Sequence, residues 1–177
     1  IANKQLWDAY QQRRMALAEQ LGRQPDELWA FHGTSREAIG KIAQSGFLPP
    51  DQVVAAAQTA AAGGGKKGPA KKKKKQKPAE LLDDGYFGKG IYFTLFSDYA
   101  LWYSDERGSD QVLLCKILPG RAFSCTKRMD GAGCQPGYHS HRSPKGNEYV
   151  LFDPAQVLPR YIITFSENEA KEREQES

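Results

Sequence analysis

The chain of 177 residues has no long apolar run. Stretches such as Val112 to Leu114 and Val150 to Phe152 fall far short of the roughly 20 residues a spanning helix needs, which excludes a transmembrane helix. Cysteine is scarce. Cys115, Cys125 and Cys134 are an odd number in a chain large enough to bury its own core, which argues against a disulfide scaffold. Free thiols in an intracellular compartment, nuclear or cytoplasmic, are expected. The chain opens on Ile1 and not on Met, which reads as a piece cut from something longer, so the lack of a signal peptide says nothing about targeting. No internal repeat is visible. What is present is 40% hydrophobic and 26% charged residues, the balance of one globular domain and not of a disordered or fibrous chain.

The net charge of +4 misleads as a sum. Lys66, Lys67, Lys71, Lys72, Lys73, Lys74, Lys75 and Lys77 carry eight positive charges with no acid between them, so the remainder of the chain is acidic. A second biased segment, Ser166 to Ser177, sets five Glu against Lys171 and Arg173. Between about 51 and 80 the composition turns to Ala, Gly and Lys with only Val53 and Val54 to offer a core, the signature of a solvated, poorly ordered insertion.

Leu6, Tyr10, Leu17 and Leu21 recur at helical spacing and Gly22 with Pro25 closes the pattern, predicting an amphipathic helix over residues 4–21. Leu28 to Phe31 reads as a short strand. Thr34 with Glu37 forms an expected capping box ahead of Ile39, Ile42 and Ala43, with Gly46 as C-cap and Pro49-Pro50 beyond. Ile91 to Phe93 resumes as a strand among glycines, and a short helix runs through Ala100 to Tyr103. Val112 to Leu118 is β-rich and ends at the turn dipeptide Pro119-Gly120, with Ala122 to Cys125 as a short partner strand. Glu148 to Asp153 and Tyr161 to Phe165 are two further strands. Helices lead and strands follow, which predicts an α+β domain on a mostly antiparallel sheet.

Phe31-His32-Gly33-Thr34-Ser35 puts a histidine and a bare backbone at a strand end, where both can face a ligand. Gly88-Lys89-Gly90 lacks the Lys-Ser/Thr ending of a phosphate loop, so that reading is rejected. In order along the chain stand Leu6-Trp7 with Tyr10, Phe31-His32-Gly33-Thr34, Phe87-Gly88-Lys89-Gly90-Ile91-Tyr92-Phe93, and Asn147-Glu148-Tyr149-Val150 with Gln156, Pro159 and Tyr161-Ile162. This ordered set resembles the catalytic domain of the poly(ADP-ribose) polymerases. Gly137-Tyr138-His139-Ser140 looks like a further segment of its nuclear and tankyrase-type members. The resemblance spans nearly all of residues 1–165 outside the insertion and leaves 166–177 as an acidic tail.

That resemblance implies an ADP-ribosyltransferase-like fold, NAD as substrate, and a catalytic triad of His32, Tyr92 and Glu148. It further implies that His32 bonds the adenine-side ribose, that the Gly33 backbone pairs with the nicotinamide carboxamide, and that Tyr92 and Tyr103 flank the ring. Breaking the N-glycosidic bond builds positive charge on the ribose, which a carboxylate such as Glu148 stabilises selectively. In the family the same carboxylate polarises an acceptor hydroxyl for chain elongation. Ala100 stands where many relatives have a carboxamide-binding serine, so one such bond is expected to be missing.

The function implied is transfer of ADP-ribose to a macromolecular acceptor, a protein or the enzyme itself, with release of nicotinamide and elongation to polymer. Alternatives are single transfer only, a module that binds NAD or ADP-ribose without turnover, and a nucleic-acid or scaffold module. Cys125, Cys134, His139 and His141 have the chemistry of zinc ligands but lack Cys-x-x-Cys spacing, and no metal is expected. The eight lysines are expected to make weak, salt-sensitive contact with a polyanion or nucleic acid, without base stacking because no aromatics interleave with them. No membrane partner is expected.

Overall fold

The computed structural model describes residues 1–48, 52 and 85–165. The insertion, its lysines and the acidic tail lie outside them. The first helix, α1 (Lys4–Leu21), matches its periodicity. The Asn3 side chain accepts from the Gln5 and Leu6 N–H groups at 3.0 and 3.2 Å, and Gly22 at φ 66° ends the helix with its N–H on the Glu19 carbonyl. Its apolar stripe, Leu6, Tyr10, Leu17 and Leu21, closes over Leu118 and Leu158. The fully buried Tyr10 donates its hydroxyl to Glu27 Oε2 at 2.8 Å, and Glu27 also pairs with Lys116, so the helix is latched to the sheet by a charged hydrogen bond.

Strand β1 (Leu28–Gly33) leads to α2 (Arg36–Ser45), then come β2 (Ile91–Thr94), α3 (Ser97–Asp105), β3 (Gln111–Ile117), β4 (Ala122–Ser124), β5 (Ser140–Arg142), β6 (Glu148–Leu151) and β7 (Val157–Thr164), the last entered through a 3-10 turn at Pro154–Gln156. The seven strands form one sheet in the order β4-β5-β6-β2-β1-β3-β7. Every neighbouring pair is antiparallel except β4 with β5, so the domain is α+β. The main core packs Ala30, Ile39, Phe47, Phe93, Leu113, Cys115, Ile117 and Leu151. None of the described helices is long and apolar enough to cross a membrane.

Three local expectations need correction. Helix α2 is capped by Ser35, whose Oγ accepts from Ala38 N–H at 3.3 Å, not by Thr34; Glu37 pairs with Lys41 one turn on instead of closing a box. A cap needs its side chain on the N–H three residues ahead, and the helix begins one residue later than the Thr34 reading requires. Ala122–Ser124 is a strand but not the hairpin partner of β3: it pairs in parallel with Ser140–Arg142, at the opposite side of the sheet. The chain leaves β3 through Leu118 and Pro119, where the Leu118 N–H is taken by Gln156 and the Ser140 hydroxyl holds the Pro119 carbonyl at 2.7 Å. The last strand starts at Val157, four residues before the expected Tyr161.

Candidate active site

Three of the expected residues come from adjacent strands. Phe31 of β1 and Glu148 of β6 both register with Thr94 of β2, so the ends of these strands lie level across the sheet although they are far apart in sequence. His32 follows Phe31, and its Nδ1 lies 2.8 Å from the Tyr92 carbonyl oxygen. A carbonyl only accepts, so Nδ1 carries the proton and Nε2 is left as an acceptor. Among the described residues Nε2 has no hydrogen-bond partner.

The His32 ring packs edge-on against Phe47 at 4.9 Å and tilted against Phe93 at 5.5 Å. Burial in that apolar setting lowers its pKa to about 4; the Tyr92 bond opposes the shift and the nearby Arg107 charge adds to it. The folded chain therefore resists a proton that the unfolded chain takes up near pH 6.5, so this contribution to stability is complete above pH 6.5 and lost as pH falls toward 4. We expect a loss of up to about 3 kcal/mol over that window. Denaturant titrations of the parent and His32→Gln at both ends would show it as a steeper pH slope in the parent.

Tyr92 turns its hydroxyl into the preceding loop, accepting from Phe87 N–H and donating to the Gly88 carbonyl, both at 2.9 Å. Gly88 sits at φ 121°, where a Cβ would press on the Phe152 ring at 2.9 Å, the Ala132 carbonyl at 3.0 Å and His141 at 3.1 Å. The buried His141 donates from Nδ1 to the Phe87 carbonyl at 2.6 Å and accepts at Nε2 from Gln135 N–H at 2.8 Å. The glycine-rich loop is thus held from both sides. Tyr92→Phe should lower stability by about 2 kcal/mol by orphaning two backbone groups, read as a melting-temperature drop of several degrees.

The opposite wall is α3. Gly33 lets it approach: a Cβ on Gly33 would fall well inside van der Waals contact of the Ala100 carbonyl oxygen and 3.0 Å from Tyr103 Cβ. Ala100, buried beneath β1, anchors the helix. Tyr103 lies edge-on to Tyr99 at 5.3 Å and to Trp102 at 5.0 Å, while the Arg107 guanidinium stands 5.4 Å over its ring and donates to its carbonyl at 3.2 Å. Glu148 is fixed through its backbone, donating to Ser143 Oγ at 3.1 Å and accepting from Ser143 N–H at 3.0 Å. Burial raises the Tyr99 pKa, Glu148 raises it further and Tyr103 opposes the rise.

Tyr99 and Arg107 are absent from the sequence reading. Both stand four residues from Tyr103, the spacing of one helical face, but the sequence predicts the helix only through Ala100 to Tyr103; it runs from Ser97 to Asp105, and Arg107 lies in the turn after it. The four residues considered for zinc serve other contacts: Cys125 Sγ lies 3.7 Å from Met129 Sδ, Cys134 donates to the Tyr138 carbonyl, and His139 accepts from Arg121 N–H and faces Gln20, while His141 is engaged as above. Among the described residues no three metal-ligating side chains converge. The lysines from Lys66 to Lys77 lie outside the described residues.

A neutral histidine acceptor, a carboxylate and aromatic rings are groups that can bind a hydroxylated ligand with a flat ring and stabilise positive charge beside the carboxylate. No family model matches the chain.

Proposed function

We propose that this domain transfers ADP-ribose from NAD to a protein acceptor and releases nicotinamide. The observation that supports this reading is that His32, Tyr92 and Glu148 stand on the adjacent strands β1, β2 and β6, with Phe31 and Glu148 level at Thr94 and His32 Nδ1 on the Tyr92 carbonyl. Each group has work suited to that reaction. Nε2 of His32 accepts a ribose hydroxyl, because its Nδ1–H is committed to the Tyr92 carbonyl. Tyr103 offers an aromatic surface to the cationic nicotinamide ring. The Glu148 carboxylate binds the 2′-hydroxyl and stabilises the oxocarbenium-like charge as the N-glycosidic bond breaks, then accepts the proton of an incoming ribose hydroxyl, which supports elongation. In this reading the fold is of the ADP-ribosyltransferase kind.

Incubation with NAD labelled in the adenylate, followed by sizing of protein-attached label, tests the proposal. Ladders of label with stoichiometric nicotinamide release are expected. Label bound reversibly, with no nicotinamide released, would identify a binding module instead.

A further inference from the structure

Resting on the reading of Glu148 as the catalytic carboxylate, we propose that Ser143 is a positioning residue: its hydroxyl completes the grip on the peptide group before Glu148 and so sets the direction in which that side chain leaves the sheet.

The turn that joins β5 to β6 creates the need. Pro144 and Gly146 stand at the second and fourth positions of a turn opened by Ser143, and the Gly146 N–H bonds the Ser143 carbonyl at 2.8 Å. A hydrogen-bonded pair in an antiparallel ladder exchanges two bonds between its backbones. Here the first runs from the Ser143 N–H to the Glu148 carbonyl at 3.0 Å, but the Ser143 carbonyl is turned onto Gly146. The return bond goes to the side chain instead. The Glu148 N–H donates to Ser143 Oγ at 3.1 Å, and Ser143 is only 5% exposed, so water does not readily replace it. A hydroxyl thus stands in for a ladder carbonyl.

The other side of the same peptide is held by β2. The Leu95 N–H donates to the Asn147 carbonyl at 3.3 Å, one residue past the register of Thr94 with Glu148. The peptide between Asn147 and Glu148 is therefore pinned at its oxygen by β2 and at its nitrogen by Ser143. A planar peptide held at both ends cannot swivel. With the Glu148 carbonyl fixed as well, the bond from Cα to Cβ keeps one bearing. Charge developing on the ribose needs a carboxylate already in place, since a misplacement of about 1 Å can cost up to about 100-fold in rate.

Ser143→Ala removes the acceptor alone. In the ligand-free protein the Glu148 amide proton should exchange at least about 10-fold faster, and the melting temperature should fall by a few degrees. With NAD, kcat should fall about 10-fold and KM change less than about twofold, because the carboxylate acts chiefly as the glycosidic bond breaks. Ser143→Thr and Ser143→Val add the same bulk, and only Thr keeps the hydroxyl. The Thr variant should stay within about threefold of the parent's kcat and the Val variant should match Ala. In a Glu148→Gln background Ser143→Ala should alter kcat less than about twofold. A Glu148 amide that exchanges no faster in Ser143→Ala overturns the inference, as does a Val variant as active as Thr, or an equal loss of kcat with and without Glu148. A parent that turns over no NAD defeats the functional reading instead, and amide exchange then decides whether Ser143 holds Glu148.

Discussion

Replacing Glu148 by Gln is expected to lower the rate of ADP-ribose transfer by about 10²- to 10³-fold, and to abolish elongation, while the dissociation constant for NAD changes by only a few-fold. The amide keeps the shape and the hydrogen-bonding reach of the carboxylate but not its charge, and the charge matters only once the glycosidic bond has begun to break. Its backbone anchors to Ser143 do not involve the side chain, so the fold around it should be unchanged. Single-turnover rates with calorimetric NAD binding separate the two effects. Product as long and as fast as the parent's would remove Glu148 from the mechanism.

Gly33→Ala should be the most damaging small substitution in the pocket, destabilising the fold by about 3 kcal/mol, the upper range for overpacking. The added methyl meets the Ala100 carbonyl and Tyr103 Cβ, and neither is the far end of a side chain that can swing away. Helix α3 must then lift off β1. It carries Tyr99 and Tyr103, so NAD affinity should weaken along with stability. Gly22→Ala is the control: its Cβ would meet nothing within 4 Å, and its cost comes only from φ 66°. A Gly33→Ala protein as stable as Gly22→Ala would show that the helix does not rest on β1 as described.

Much of this was legible in the chain. The helix from Lys4 to Leu21 announces itself through Leu6, Tyr10, Leu17 and Leu21, because a 3.6-residue period survives whatever packs against it. The strands carrying Phe31, Phe93 and Val150 stand out because central strands are apolar on both faces and bounded by turn residues. Strand β5 was invisible for the converse reason. Ser140, His141 and Arg142 read as a polar loop, yet Ser140 and His141 are fully buried, and hydrogen bonds to Pro119, Phe87 and Gln135 make that tolerable. Pro119-Gly120 signalled a turn truthfully but could not say which strand the chain would meet after it.

By itself, then, the amino-acid order determined the elements of short period and the residue types on which the proposed chemistry depends: His32 at a strand end, Tyr92 in its glycine-bounded strand, and Glu148 opening another. Local propensity and the reactivity of a side chain are both written within a few residues. Only the tertiary structure decided which nitrogen of His32 is left to accept, that the hydroxyl of Tyr92 is spent on its own loop, and that α3 seats against Gly33. The first depends on a contact between residues 60 positions apart and the last on the seating of a helix against a glycine; the Tyr92 bonds span only four and five residues, but the turn of the loop brings them within reach.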